Sequence, residues 1–334
     1  MPGMTMDAMP PRLTFGRLFT EWSLHPWSAS ILAALAIGYL VGVWAARRHG
    51  EPVRARYVVS WLAGVGVLVV ATQGSPAVYD DALFWMHMVA HLMLIMVAPV
   101  LLVAARPLDL IIAATPPAQQ GHARAVMSGR VVSALTHPSV GLALYAALIV
   151  GTHLTGFMNT MMMHPWLHGA EVAMYVVAGV LFMLPLLGSQ PIRWQLAAPL
   201  QMAILVIAMP VDTFTGVVLG QAARYPWPMM AAVHPAWAPS ALTDLHLGGA
   251  VMWIGGDAIM AVLLVLAGLR WARRASEGDG SELGGWLEAA RLNYQRDLVS
   301  ARTNPADAGF TEADGDDALA AYNAYLARLN ADRG

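Results

Sequence analysis

The sequence predicts an all-α, polytopic membrane protein: a seven-helix transmembrane bundle with its N-terminus outside and its C-terminus in the cytoplasm. Three observations carry this. Of 334 residues, 57% are hydrophobic and only 12% charged, where a soluble domain has about 25% charged. Seven apolar stretches, at 28–46, 57–74, 83–104, 138–157, 167–188, 196–220 and 247–269, are each long enough to cross about 30 Å of hydrocarbon as a helix. Eleven arginines follow alternate stretches: Arg47, Arg48, Arg54, Arg56; Arg106, Arg124, Arg130; Arg193; and Arg270, Arg273, Arg274. The opposite connections hold Arg12, Arg17 and Arg224, so the positive-inside rule assigns the arginine-rich side to the cytoplasm.

Composition also excludes. Cysteine is absent, which removes disulfides, thiolate metal sites, iron–sulfur clusters and cysteine nucleophiles. A soft metal is then left to histidine and methionine with carboxylate help, and 21 methionines are present. Every basic residue is arginine, but no basic cluster suggests nucleic acid.

Residues 1–27 are read as an extracytoplasmic segment. They lack a basic start followed by an apolar core, so the first membrane helix is expected to direct insertion. Met1, Met4, Met6 and Met9 either collect Cu(I) or are incidental. Residues 28–274 form the expected seven-helix domain. Trp27, Trp166, Trp227 and Trp237 then fall near the outer interface, as aromatic belts do. The long inner connection 108–136 contains a stretch, 119–135, expected to lie as one amphipathic helix on the membrane surface. Residues 275–334 are a polar cytoplasmic tail with helix-like pieces near 282–301 and 312–330, separated at Asn304-Pro305.

The third span opens Phe84-Trp85-Met86-His87-Met88-Val89-Ala90-His91. His87 and His91 stand at i and i+4, on one helical face, roughly 6 and 12 Å below the outer edge at 1.5 Å per residue. Two neutral imidazoles so spaced can chelate one ion or bond neighbouring helices. His153 ends span four. The next connection, with Met158, Met162 and the run Met161-Met162-Met163-His164, is either a soft-donor cluster suited to Cu(I) or a hydrophobic loop dipping into the interface. His168 and Glu171, at i and i+3, share a face of span five, and Glu171 can orient an imidazole, ligate, or carry a proton. Pro210 is expected to kink span six and free a carbonyl; Asp212, just after it, is expected to face the histidines. Span seven opens Asp244-Leu245-His246-Leu247-Gly248-Gly249. Asp244 is a candidate cap for its own helix, and Gly248, Gly249, Gly255 and Gly256 permit close packing. Asp257, near mid-span, either serves an ion or proton path or pairs with a neighbour. Ionisable groups inside a membrane cost roughly 2.5–3.5 kcal/mol each on insertion scales. Gathering His87, His91, His153, His168, Glu171, Asp212 and His246 at one face therefore suggests a shared task, metal binding.

Several stretches across residues 30–270 resemble the bacterial seven-helix cytochrome c oxidase assembly factors, the CtaG-like family. They are His87-Met88-Val89-Ala90-His91-Leu92 leading to Ala98-Pro99-Val100-Leu101-Leu102; Gly179-Val180-Leu181-Phe182-Met183-Leu184-Pro185-Leu186-Leu187-Gly188; Met209-Pro210; and Asp244-Leu245-His246-Leu247-Gly248-Gly249 with Met252-Trp253. The resemblance implies a non-enzymatic, copper-binding factor of the bacterial plasma membrane that delivers or inserts copper, as Cu(I), into cytochrome c oxidase. It implies oxidase subunits, and a periplasmic copper chaperone, as partners. The chain departs from the family pattern where Asp212 stands for a usual histidine, His246 for a glutamine, and Val172 for a second histidine. Two other functions stay open from the residues themselves: a haem-binding membrane oxidoreductase, and a metal- or proton-coupled transporter using Asp212, Asp257 and Glu171.

Overall fold

The computed structural model describes residues 9–187 and 190–276; the side chains of residues 165 and 274–276 are not described. Met1, Met4 and Met6, and both expected tail helices, lie outside the described residues. Contacts divide the chain into two units, Met1–Leu269 and Arg270–Gly334. The second is described only where it continues the last helix.

Among the described residues every regular element is helical. The long helices are α1 (Pro26–Arg48), α2 (Ala55–Gln73), α3, α5 (Pro138–His153), α7 (Pro165–Leu186), α8 (Ala198–Gly220) and α9 (Ala241–Ser276). The third, α3, runs as Phe84–Leu92, a π-helical turn Met93–Val97, and Ala98–Ala104. Two shorter helices also matter, α4 (Pro107–Ala114) and α6 (Phe157–Met163). Six helices are long and apolar enough to cross a membrane, or seven if the bent pair α5 and α6 counts as one span. The chain is therefore a multi-pass membrane protein.

The structure departs from the expected boundaries in four places. The stretch 138–157 is not one straight helix: α5 stops at His153, and the chain turns by 74° into α6. At this corner Thr155 bonds back to the Gly151 carbonyl, and the Trp227 indole donates to the Thr155 carbonyl at 3.0 Å. The methionine-rich connection is accordingly helical, and Met158 and Met161 turn into the core. Second, Trp227 is not a belt residue. It is 1% exposed and packs on Phe84 with ring centres 5.1 Å apart, whereas Trp27 and Trp166 are exposed. Third, the connection 108–136 holds α4 and two short helices, Gln120–Met127 and Arg130–Leu135, in place of one amphipathic helix. Ser128-Gly129 interrupts them, with Gly129 in an extended conformation. Fourth, the seventh stretch starts earlier than position 247, because Ser240 caps it through the Thr243 amide at 3.2 Å.

Asp244 has a different task from the one its position suggests. It sits in the first turn of α9, yet its carboxylate accepts from the backbone N–H groups of Phe84 (2.7 Å) and Trp85 (3.2 Å). It caps α3, the helix that carries His87 and His91. The glycines of α9 work as anticipated at the crossing with α8: a Cβ on Gly216 would lie 2.6 Å from the Gly249 carbonyl, and one on Gly249 2.7 Å from the Gly220 nitrogen. No side chain larger than hydrogen fits between these backbones. Helix α8 continues through Pro210.

Truncating this cross-helix cap gives a direct test. Asp244→Ala leaves one buried and one part-buried amide without this acceptor and is expected to cost about 1–2 kcal/mol. Asp244→Asn keeps an acceptor and should lose less, both read as unfolding midpoints in detergent.

Candidate metal centre

His87 and His91 emerge from the first turns of α3, one above the other, with ring centres 4.1 Å apart. His153, the last residue of α5, meets them from the side. Its ring centre is 5.1 Å from that of His91 and 6.5 Å from that of His87. One donor nitrogen from each ring lies within 4.8 Å of the others, and all three residues are buried.

The surrounding bonds orient these rings. His153 Nδ1 is 2.9 Å from the Ile149 carbonyl and 2.9 Å from the Thr152 hydroxyl. A carbonyl only accepts, so the proton is assigned to Nδ1 and the lone pair to Nε2. His91 Nδ1 stands 3.2 Å from that Nε2. It must donate there, which leaves its own Nε2 as a lone pair. The Thr152 hydroxyl donates to the Leu148 carbonyl at 2.7 Å and accepts from the Tyr175 hydroxyl at 2.7 Å. Tyr175 in turn stacks on His91, with ring centres 4.1 Å apart. Holding a ring by its second nitrogen is how proteins aim an imidazole at a metal.

Glu171, from α7, is fully buried, and its Oε1 lies 3.7 Å from His91 Nε2. That exceeds hydrogen-bond length. Both Glu171 oxygens, and His87 Nε2, have no hydrogen-bond partner. Unpaired buried polar atoms are costly. Here the Glu171 carboxylate stands against His91, and His87 is its neighbour in the three-imidazole group, which is the chemistry of a cation site: nitrogen donors with one carboxylate close by to balance the charge. A borderline or soft ion such as copper fits this set.

The remaining expected residues fall elsewhere. His168 is near but not inside the cluster. Its ring centre is 6.2 Å from that of His87, and its Nε2 lies 3.4 Å from Asp80 Oδ2. Burial, and the charges of Asp81 and Glu171, hold the Asp80 carboxyl well above the usual carboxylate range. Asp212 lines a small cavity, about 10 Å³, together with His91, His153 and Tyr175. One of its oxygens accepts from the Tyr145 hydroxyl and the other is unpartnered. His246 points away and bonds the Ala222 carbonyl at 3.0 Å. Met158 lies in the apolar core and Met162 packs against it. Asp257 accepts from Thr213 at 2.7 Å.

Asp80, Thr152, Tyr145 and Tyr175 escaped notice in the sequence. The tyrosines carried a signal, since a hydroxyl deep in an apolar helix must find an acceptor. Asp80 did not, because an acid between two spans is ordinarily solvated.

The profile of the cytochrome c oxidase caa3 assembly factor family (Caa3_CtaG) matches residues 37–274, well over half of the chain. Uncharacterized proteins of Mycobacterium bovis and Mycobacterium tuberculosis are each 27% identical over 330 residues, 96% of this chain and 46% of their own length. One of Mycobacterium leprae is 26% identical over 273 residues, 79% of this chain and 41% of its own. The chain thus spans less than half the length of these relatives. No solved structure matches it. The chain belongs to the cytochrome c oxidase caa3 assembly factor family.

Proposed function

We propose that this protein binds Cu(I) at His87, His91 and His153, with Glu171 as charge-balancing neighbour, and delivers or inserts it during cytochrome c oxidase assembly. The observation that carries this is the meeting of three buried imidazoles beside an unpartnered buried carboxylate. The role is non-enzymatic: the oxidase supplies the recipient copper centre, and a periplasmic copper chaperone supplies the ion. The arginine bias supports an orientation with seven crossings, the N-terminus outside and the C-terminus in the cytoplasm of the bacterial plasma membrane. In that orientation the histidine cluster lies buried near the outer end of α3.

The haem alternative asks for imidazoles on opposite faces of a porphyrin. His91 and His153 are in contact at 3.2 Å, and the cavity they help line, about 10 Å³, has room for roughly one water. A transporter usually binds at the midplane between internal repeats, and no repeat is visible in the sequence.

Three outcomes test this. Purified protein loaded anaerobically should hold about one Cu(I) per chain with nitrogen neighbours in its X-ray absorption spectrum. His87→Ala/His91→Ala should abolish it, and zinc in place of copper, or no metal in the wild type, would overturn the assignment. Glu171→Gln should weaken binding by about 10–100-fold, the usual effect of losing a residue that supports the ligands, measured by chelator competition. For topology, the absence of native cysteine allows single-site labelling. Ala223→Cys should react with an impermeant maleimide on intact cells, and Glu51→Cys only after lysis; the reverse pattern inverts the orientation.

A further inference from the structure

The three-histidine cluster is buried, with His87, His91 and His153 between 1% and 5% exposed. An ion therefore needs a way in. His168 keeps 30% of its side chain exposed and stands next to His87, with ring centres 6.2 Å apart. An ion about 2 Å from a nitrogen of each of two imidazoles holds their ring centres roughly 6 Å apart. The following steps, 4.1 Å from His87 to His91 and 5.1 Å from His91 to His153, are shorter still. Four imidazoles thus form a series that runs from one partly exposed ring to three buried ones, with no gap wider than one shared ion.

A second observation sets His168 apart from the other three. Its Nε2 faces Asp80 Oδ2 at 3.4 Å, from the linker between α2 and α3. Asp80 is itself held, since its Oδ1 accepts from the Asp81 amide at 2.8 Å. The ring is poised by a carboxylate that an incoming cation can share or displace. One turn inward on the same helix stands Glu171, unpartnered and against His91. A carboxyl group therefore stands at both ends of the series, more deeply buried at the inner one.

We propose that His168, positioned by Asp80, is the loading port of the copper site. It takes the ion first and hands it to His87 and then to the three-histidine cluster. The step is ligand exchange: the Cu–N bond to His168 breaks as bonds to His87 and His91 form, no electron is transferred, and Asp80 recovers its contact with His168. The inference rests on the proposed copper binding and deepens it. A port differs from a permanent ligand in one measurable way. It changes the rates of uptake and release together and leaves their ratio, the affinity, in place.

The experiment is stopped-flow transfer of Cu(I) from a chromophoric chelator to the full chain in detergent, paired with equilibrium competition against the same chelator. In His168→Ala, uptake and release should both slow by about tenfold or more while the dissociation constant moves by less than about threefold. Asp80→Asn should slow uptake by less. His168→Asn, which keeps a polar side chain at the helix start, should match the alanine variant in rate, and its unfolding midpoint should match the wild type. Unchanged rates in the His168 variants overturn the port. So does a loss of affinity in both His168 variants at wild-type unfolding midpoints, which makes His168 a permanent ligand while leaving copper binding intact. A wild-type chain that takes no Cu(I) removes the copper assignment and the port with it.

Discussion

Water is missing from the interior of a membrane, so each polar side chain there must find its partner within the protein. Most in this chain do. Tyr39 donates to the Ala105 carbonyl at 2.8 Å, Ser60 to the Leu101 carbonyl at 2.7 Å, and Thr213 to Asp257 at 2.7 Å. Against that background the unsatisfied atoms of His87 and Glu171 stand out, because His87 belongs to the three-histidine group and Glu171 lies against another of its members, His91. Thr215, His234, Asp212 and Asp257 also carry unpartnered atoms, but among the described residues the one metal-type cluster includes none of them. Three buried imidazoles thus meet beside a carboxylate that has no hydrogen-bond partner, and this grouping is what supports reading the place as a cation site.

Helix α3 makes the arrangement possible. Its first turns are held by a carboxylate from α9, so the rings of His87 and His91 are presented at a defined height. Immediately after His91 the helix widens into a π turn, a feature common near functional sites. Pro99 then follows, and it has no N–H to offer the Ile95 carbonyl. Gly179 of α7 comes against that same carbonyl, where a Cβ would collide. The close approach brings in one stripe of α7, in which Glu171 lies beside His91, Tyr175 stacks on it, and Phe182 stacks on Tyr145 at 4.9 Å. A π turn, a proline and a glycine thus decide which residues of α7 reach the imidazoles.

Beneath the cluster the polar residues are organised in pairs rather than as free donors. Tyr145 bonds Asp212, and Thr213 bonds Asp257. Asp212 borders the same cavity as His91 and His153, one layer further in. Its partner is a tyrosine hydroxyl.

Membership of the membrane class, the approximate limits of the long helices and the pairing of His87 with His91 were all legible in the sequence. Each depends on local quantities, hydropathy over about 20 residues and a repeat of 3.6 residues per turn. The bend after His153 was not legible, because its corner is held by Trp227, which comes from a connection more than 70 residues away. Nor was the sorting of the candidates, with His153 entering the cluster, His246 bonding a carbonyl, and Met158 joining the core. Asp244 reads locally as a cap for its own helix and serves another. These outcomes depend on how each helix is rotated and how closely it approaches its neighbours. Contacts such as Gly216 on Gly249 and Gly179 on Ile95 set that, and they exist only once distant segments have come together.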